Sequence, residues 1–509
     1  MYFRKAGGHS TIVISESNRK QKGKIVEKMW IETYRFKNKP YEHQRNYLEK
    51  YWRRPVAALF ADMGTGKSFM VINNMSMLYD RGEINAALVI APKGVYRNWV
   101  NLELPKHLPD HIISRIALWT PSPRKAEKAK LDDLWEVTED LKILVMNIEA
   151  LSTAKGVEYA TRFVRSTNCF MAIDESTTIK TPTAKRAKNA VKIGREAKYK
   201  RIMTGSPVTR SPLDLFQQCD FLDPDCLNST SYYAFRARYA VMIEKNMGSH
   251  SFKKVVGYRK LDELKEKLDK FSYRIRKDEC LDLPEKVYIK REVHLTKEQV
   301  KAYQEMKTMA LALLKDGMVS TVNALTQLMR LHQIVCGHVK LDDDRVVEVP
   351  SNRLQELLSV IEEAPDKVII WANYRHDIDA IKLTLQKEYG MNAVGTYYGD
   401  TDDDERARVV KEFQDPDSEL RFFVGNPRTG GYGLTLTAAD TVVYYSNSFD
   451  LEVRLQSEDR AHRIGQTRSV TYVDLMSPGT VDEKIVKALR GKIDIANEVL
   501  GEELKSWLI

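Results

Sequence analysis

The segment Pro55–Ser68, PVAALFADMGTGKS, constrains the fold more than any other stretch of the chain. An unbroken apolar run of strand length leads into the loop Asp62–Ser68, and a helix-patterned segment starts at Phe69. Glycines let the backbone curl so that successive N–H groups and the helix N-terminus face one anion. A strand followed by a tight loop and a helix returns most readily as a parallel neighbour by a right-handed crossover. The segment therefore predicts a parallel α/β sheet with a phosphate cradle at its edge. Gly64, Thr65, Gly66, Lys67 and Ser68 are the candidate cradle residues; Lys67 adds charge, and the Ser68 hydroxyl can hold a metal ion.

Other apolar runs extend the pattern. Ala86–Ala91, Ile143–Met146, Cys169–Ile173 and Arg201–Met203 are each bounded by turn or polar residues, as buried parallel strands are. From about Pro224 to Val349 the pattern changes to charged, helix-period stretches such as Lys260–Arg274 and Lys297–Lys315, which predict helical insertions. Strand and helix alternation resumes at Lys367–Ala372, Ala393–Tyr398, Arg421–Gly425, Thr441–Tyr445 and Val470–Leu475. From about Val481 the tail predicts one amphipathic helix that ends in Trp507. The expected organisation is an N-terminal arm over 1–35, a first α/β lobe over 36–223, helical insertions and linker over 224–349, a second α/β lobe over 350–490, and a tail over 491–509. A chain of 509 residues is too long for one core, which agrees with two lobes.

Two arginines need the cradle. Arg460 and Arg463 stand in Gln456–Gln466, QSEDRAHRIGQ, where the spacing predicts adjacent faces of one helical turn. An arginine is always charged and carries a rigid donor fork, which suits the charge spread over a phosphoryl group in transfer. Because the pair lies in the second block and the cradle in the first, two lobes closing on one nucleotide are expected. Asp174 and Glu175 end the apolar run Cys169–Ile173, one acid placed to hold a metal ion and the other to position water. Gln44, the turn Met203–Pro207, and the glycine-rich NPRTGGYG at Asn426–Gly433 are each, taken singly, better explained as loops or caps than as sites.

Composition narrows the partners. Lys plus Arg is 80 against Asp plus Glu at 70, a formal net charge of +10, which favours a polyanion such as nucleic acid over a membrane. A basic cluster at Arg19, Lys20, Lys22 and Lys24 reads as a solvated arm, and Lys185–Arg201, with eight basic residues and one acid, as a solvated face rather than a DNA-facing helix. Cys169, Cys219, Cys226, Cys280 and Cys336 contain no C-x-x-C pair, so a reducing compartment is expected. The first residues carry no signal-peptide core, and no apolar run reaches membrane-spanning length.

In this order the motifs resemble the Swi/Snf family of superfamily-two DNA-dependent ATPases, in particular its compact bacterial and phage members. The resemblance runs from about Tyr41 to about Ile485. It includes Ala91-Pro92-Lys93 with Asn98-Trp99, LDLFQQCDFLDP, YRKLDEL before RIRKDECLDLP, LHQIVCGH, IIWANYRHDID and Tyr398-Gly399-Asp400. The closing GGYGLTLTAADTVVYYS leading to DRAHRIGQ is its most specific part. It implies two RecA-like P-loop lobes with parallel sheets, ATP and Mg²⁺ between them, and duplex DNA across both.

Carried over residue by residue, Lys67 and Ser68 meet phosphate and Mg²⁺, Asp174 the metal ion, Glu175 the attacking water and Gln44 the base. Arg463 is the finger, with Arg460 and Gln456 in support. Ala61 replaces the usual first glycine of the loop, a common variant. The DNA backbone contacts implied are Lys93, Asn147, Asn373, Arg428 and Thr429, phosphate contacts being the kind that position without specifying sequence.

Two departures limit the carry-over. Asp174-Glu175 is followed by Ser176-Thr177, where most relatives have alanine and a relay histidine, and Asn426-Pro427 replaces a serine and threonine before the glycine turn. His332, Cys336 and His338 are three ligand types without a fourth, so packing is expected in preference to zinc. The expected function is an ATP-hydrolysing motor on double-stranded DNA that remodels protein–DNA complexes or branched DNA. The alternatives are a strand-separating DNA or RNA helicase, and an ATP-binding regulatory scaffold with negligible turnover. A cytoplasmic monomer is expected.

Overall fold

The computed structural model describes residues 31–500 apart from 230, 248–249, 281–282, 316–320, 431–433 and 464. The basic cluster near residue 20, Trp507 and the end of the NPRTGGYG turn lie outside the described residues.

Two parallel sheets form the frame. In the first lobe β1 (Val56–Ala61), β2 (Ala86–Ala91), β3 (Ser114–Leu118), β4 (Leu141–Asn147), β5 (Cys169–Asp174), β6 (Tyr199–Thr204) and a later strand, β9, are ordered β3-β4-β2-β5-β6-β1-β9. Every pairing is parallel. Both faces of the sheet are covered by helices, so β2 and β5 are apolar almost from end to end and buried. Parallel α/β sheets bind ligands outside the carboxyl ends of their strands. Here β5, β6 and β1 are consecutive neighbours, so Asp174, Thr204 and the loop after Ala61 emerge side by side.

An antiparallel hairpin, β7 (Ala240–Met247) and β8 (His250–Tyr258), projects before the helix Leu261–Leu268, and β9 (Ser272–Ile275) then closes the first sheet. The second lobe holds β10 (Lys286–Glu292) and, after a small ladder of β11 (His338–Lys340) and β12 (Val346–Glu348), the strands β13 (Lys367–Trp371), β14 (Val394–Tyr397), β15 (Phe422–Gly425), β16 (Ala439–Tyr444) and β17 (Val470–Met476). Its order is β10-β17-β16-β13-β15-β14, again parallel throughout.

The stretch expected to be helical thus gives one strand to each parallel sheet, the β7–β8 hairpin and the β11–β12 ladder. The expected helix Lys260–Arg274 is shorter, Leu261–Leu268, because its last residues enter β9. β3, β9 and β10 are all edge strands, partly exposed, and so lack the continuous apolar run by which the central strands are recognised.

The basic run is divided as well. The helix Lys185–Gly194 ends before β6, in which Arg201 is fully buried, donating to Asn74 Oδ1 at 2.8 Å and to the carbonyls of Tyr51 at 3.0 Å and Arg54 at 2.8 Å. That arginine ties the chain before β1 to the sheet. The C-terminal helix Val481–Leu500 packs on the helix Thr321–Cys336 and also reaches the first lobe's Leu261–Leu268. None of the described helices is long and apolar enough to cross a membrane.

Candidate functional site

The phosphate loop has the geometry its glycines allow. Gly64 and Gly66 sit at φ 85° and 88°, a region costly for a residue with a Cβ, and Gly66 caps the helix Lys67–Asp80. Lys67 folds back to donate to the Ala61 carbonyl at 3.0 Å. Gln44 is buried against the loop: its Nε2 donates to the Thr65 carbonyl at 3.1 Å, and its Oε1 accepts from the Tyr41 amide at 3.0 Å. Its amide thus holds the loop's backbone.

The acids lie beside it. Asp174 Oδ2 accepts from the indole of Trp99 at 2.9 Å. Glu175 takes the left-handed conformation, φ 46° and ψ 64°, and starts the short 3-10 turn Ser176–Ile179. Strain of this kind in a non-glycine residue persists only where surrounding contacts over-determine it. Here Thr204 donates to Glu175 Oε2 at 3.1 Å, and Ser176 to Gln218 at 2.7 Å. Burial pushes the Glu175 carboxyl up to about 7; Lys67 opposes the rise, and the charges of Asp174 and Glu452 add to it. Asp174 is raised for the same first reason.

The opposing wall comes from the second lobe. The helix Leu451–Glu458 is anchored from within: Arg454 pairs with Asp474 of β17 at 2.5 Å and Glu458 at 2.8 Å, and Glu458 accepts from Lys286 at 3.1 Å and Tyr288 at 2.9 Å, both on β10. The arginine pair follows the end of that helix rather than lying on it, since regular hydrogen bonding stops at Asp459. The turns that follow still bring both to the loop. Arg460 approaches Met63 Sδ at 3.8 Å, and a Cβ at Gly64 would meet the Cβ of Arg463 at 3.5 Å. Both donate to the Leu434 carbonyl, at 3.1 Å and 2.9 Å. Gln456 is buried nearby, with its Nε2 3.4 Å from Glu452 Oε1.

Four residues of this site were not singled out in the sequence. Trp99, in the Asn98-Trp99 pair, holds Asp174 through its indole. Glu103, four residues on in the same π-helical segment, has its carboxyl raised by burial, with Ser68 and the charge of Arg463 opposing the rise. Lys277 joins three parts: its backbone amide donates to Asp62 Oδ2 at 3.1 Å, and its ammonium to Asp459 at 2.7 Å and the His462 carbonyl at 2.8 Å. Burial lowers that ammonium to about 8. Glu452 reaches across the cleft to Thr177 at 2.6 Å and Lys180 at 3.1 Å. No motif marks it.

The residues offered for DNA are spread along the upper edges of both sheets. Lys93 and Arg428 are exposed. Thr429 lies beside Arg428 in the short helix Pro427–Gly430, which Asn426 caps through the Arg428 amide at 2.9 Å. Asn147 and Asn373 use their side chains locally, on the Ala150 amide at 2.8 Å and the Ser446 carbonyl at 2.8 Å. His332 pairs with Asp482 at 3.1 Å, whereas His338 pairs with Asp377 at 3.0 Å and has His376 beside it.

A cradle of left-handed glycines, a lysine at its base, oxygen donors Ser68 and Asp174 of the kind a hard divalent cation takes, the buried carboxylate of Glu175, and arginines brought beside the loop from another lobe fit a nucleoside triphosphate with its metal ion. The family description "SNF2-related domain" matches residues 41–340, and "Helicase conserved C-terminal domain" matches 351–465. Among similar proteins, "Probable ATP-dependent DNA helicase CHR12" of Arabidopsis thaliana is 26% identical over 457 residues, covering 86% of this chain and 39% of that protein. "SWI/SNF-related matrix-associated actin-dependent regulator of chromatin subfamily A member 1" of Homo sapiens is 27% identical over 476 residues, 89% of this chain and 43% of that protein. The chain therefore spans about two-fifths of the length of these curated relatives. The solved "Sulfolobus solfataricus SWI2/SNF2 ATPase core in complex with dsDNA" is 24% identical with a TM-score of 0.40, covering 92% of this chain and 99% of that one.

Proposed function

This chain belongs to the SNF2-related family, and on that premise we propose that it is an ATP-hydrolysing motor that translocates along double-stranded DNA, remodelling protein–DNA complexes or branched DNA. The observation that carries the proposal is the approach of Arg463 from one lobe to Gly64 of the other. An arginine whose backbone is held beside the phosphate loop, its guanidinium resting on the Leu434 carbonyl, has only to swing its side chain to meet a bound phosphate, which weighs against a scaffold with negligible turnover.

In this mechanism Gly64–Ser68 hold the phosphates, with Ser68 and Asp174 placed to hold Mg²⁺, which would neutralise phosphate charge there. Glu175, fixed by Thr204, orients the attacking water, and its raised carboxyl pKa places its proton affinity near neutrality. Arg463, with Arg460 and Gln456 behind it, meets the charge that develops on the transferred group. DNA lies along the exposed Lys93 and Arg428, contacted through phosphates.

A motor that tracks intact duplex displaces the third strand of a triplex in the presence of ATP without separating the duplex. A strand-separating helicase releases a labelled strand from a fork. Triplex displacement without fork unwinding is the outcome expected. Fork unwinding without triplex displacement would replace this proposal with the helicase one.

A further inference from the structure

Glu452 holds a position that none of the catalytic motifs accounts for. It lies in the first turn of the helix Leu451–Glu458, where Asp450 caps the helix through the Glu452 amide at 3.2 Å. Its carboxylate crosses the cleft and is shared between two donors of the first lobe. Oε1 accepts from Thr177 at 2.6 Å, and Oε2 from Lys180 at 3.1 Å. Both ends of the contact are largely shielded, with Lys180 and Glu452 side chains 15% and 14% exposed. Shielded, charge-assisted bonds of this length are among the stronger and more directional ones available.

The two donors bracket one small element. Thr177 lies within the 3-10 turn Ser176–Ile179 and Lys180 closes it, while Glu175, in its left-handed conformation, opens it. From its own lobe the turn and its opening residue are held by the Ser176–Gln218 and Thr204–Glu175 bonds. From the other lobe the Glu452 carboxylate holds the turn at two points. Lys180 continues the network inward, donating to Thr209 at 2.6 Å, and Thr209 donates to Asp214 at 3.1 Å. Glu452 also belongs to the helix whose end delivers Arg460 and Arg463 to the phosphate loop.

We propose that Glu452, through Thr177 and Lys180, is a positioning residue that seats the Glu175 turn only when the second lobe is closed. The water-orienting carboxylate and the arginine finger would then be aligned by the same rigid-body movement. This inference rests on the motor reading above and assigns its coupling to a threonine–glutamate contact.

A double-mutant cycle tests it. Thr177→Val removes the donor at nearly constant volume, and Glu452→Ala removes the acceptor. Under saturating duplex DNA each is expected to lower kcat about tenfold, or about 1.4 kcal/mol on the barrier, with KM for ATP changed less than about twofold. The double variant should be no slower than Glu452→Ala alone, and Thr177→Ser should restore wild-type kcat. Multiplied losses, an unchanged kcat, or a loss confined to KM would overturn the proposal. If the wild-type protein shows no turnover, the motor reading fails by itself. Amide hydrogen exchange over residues 176–180 with a non-hydrolysable ATP analogue bound then decides the contact. Faster exchange of that turn in Glu452→Ala upholds it, and an unchanged rate overturns it.

Discussion

Replacing Glu175 with glutamine should lower turnover and stabilise the protein together. The carboxyl is 7% exposed and is raised from 4.5 to about 7, first by burial and then by the charges of Asp174 and Glu452. At about 1.4 kcal/mol for each tenfold, that rise corresponds to up to about 3 kcal/mol of stability that is present below pH 4.5 and lost as pH climbs through about 7. Above pH 7 the whole cost of burying the charge is in force. Glutamine keeps an oxygen for Thr204 and carries no charge, so at pH 8 the variant should melt higher by up to about 6–12 °C, taking about 2–4 °C per kcal/mol for a lobe of this size. The advantage should shrink at pH 5, where wild-type Glu175 is largely protonated. Turnover should fall by about 10²–10⁴. Calorimetry of both proteins at pH 8 and pH 5, with a phosphate-release assay, measures all three. Equal melting at pH 8, a gap that does not narrow at pH 5, or retained turnover would each refute the account of Glu175.

Two further perturbations probe the opposite wall. Arg463→Ala should reduce turnover by ~10³–10⁵ while leaving ATP binding measurable by a fluorescent analogue; loss of binding in step with turnover would assign Arg463 to ground-state affinity instead. Lys277 faces Asp459, Lys286, Asp62 and the His462 carbonyl, and burial lowers its ammonium to about 8. Raising pH through about 8 should therefore discharge it, weaken its link to Asp459 and reduce kcat, and Lys277→Arg should move that decline to higher pH. Stability should respond in the opposite sense, rising between about 8 and 10.5 as the cost of the buried charge is relieved. A kcat profile without a limb near 8 in the wild-type protein would contradict the bridge.

The central strands were legible because both faces are buried: AALVIA and CFMAID show it as nearly continuous apolar runs. β3, β9 and β10 were not, because an edge strand is half-solvated and its few apolar residues blend with the charged pattern around it. The phosphate loop and acid pair were legible since the glycines and carboxylates stand in contiguous sequence. The arginine pair was legible as a motif but not in conformation, the helix ending at Asp459 before the arginines turn toward Met63 and Gly64. Contacts between distant segments were the least legible. Lys277 and Glu452 look like ordinary charged helix residues, and their roles arise only when folding brings them beside Asp62 and Thr177. Arg201 carried two readings: as the start of the run Arg201–Met203 it lies in its strand, whereas as the end of a basic run it reads as surface charge, yet it is buried with its donors on backbone carbonyls.

The most direct test of the account as a whole is the ATP hydrolysis rate of the purified chain with duplex DNA, single-stranded DNA, forked DNA and RNA, at about 50 and about 200 mM salt. Binding through phosphates should weaken steeply between those concentrations. The rate is predicted to rise strongly with duplex DNA, less with single strands or RNA, and the duplex effect to require more DNA at the higher salt. A rate that stays the same whichever nucleic acid is added would contradict it.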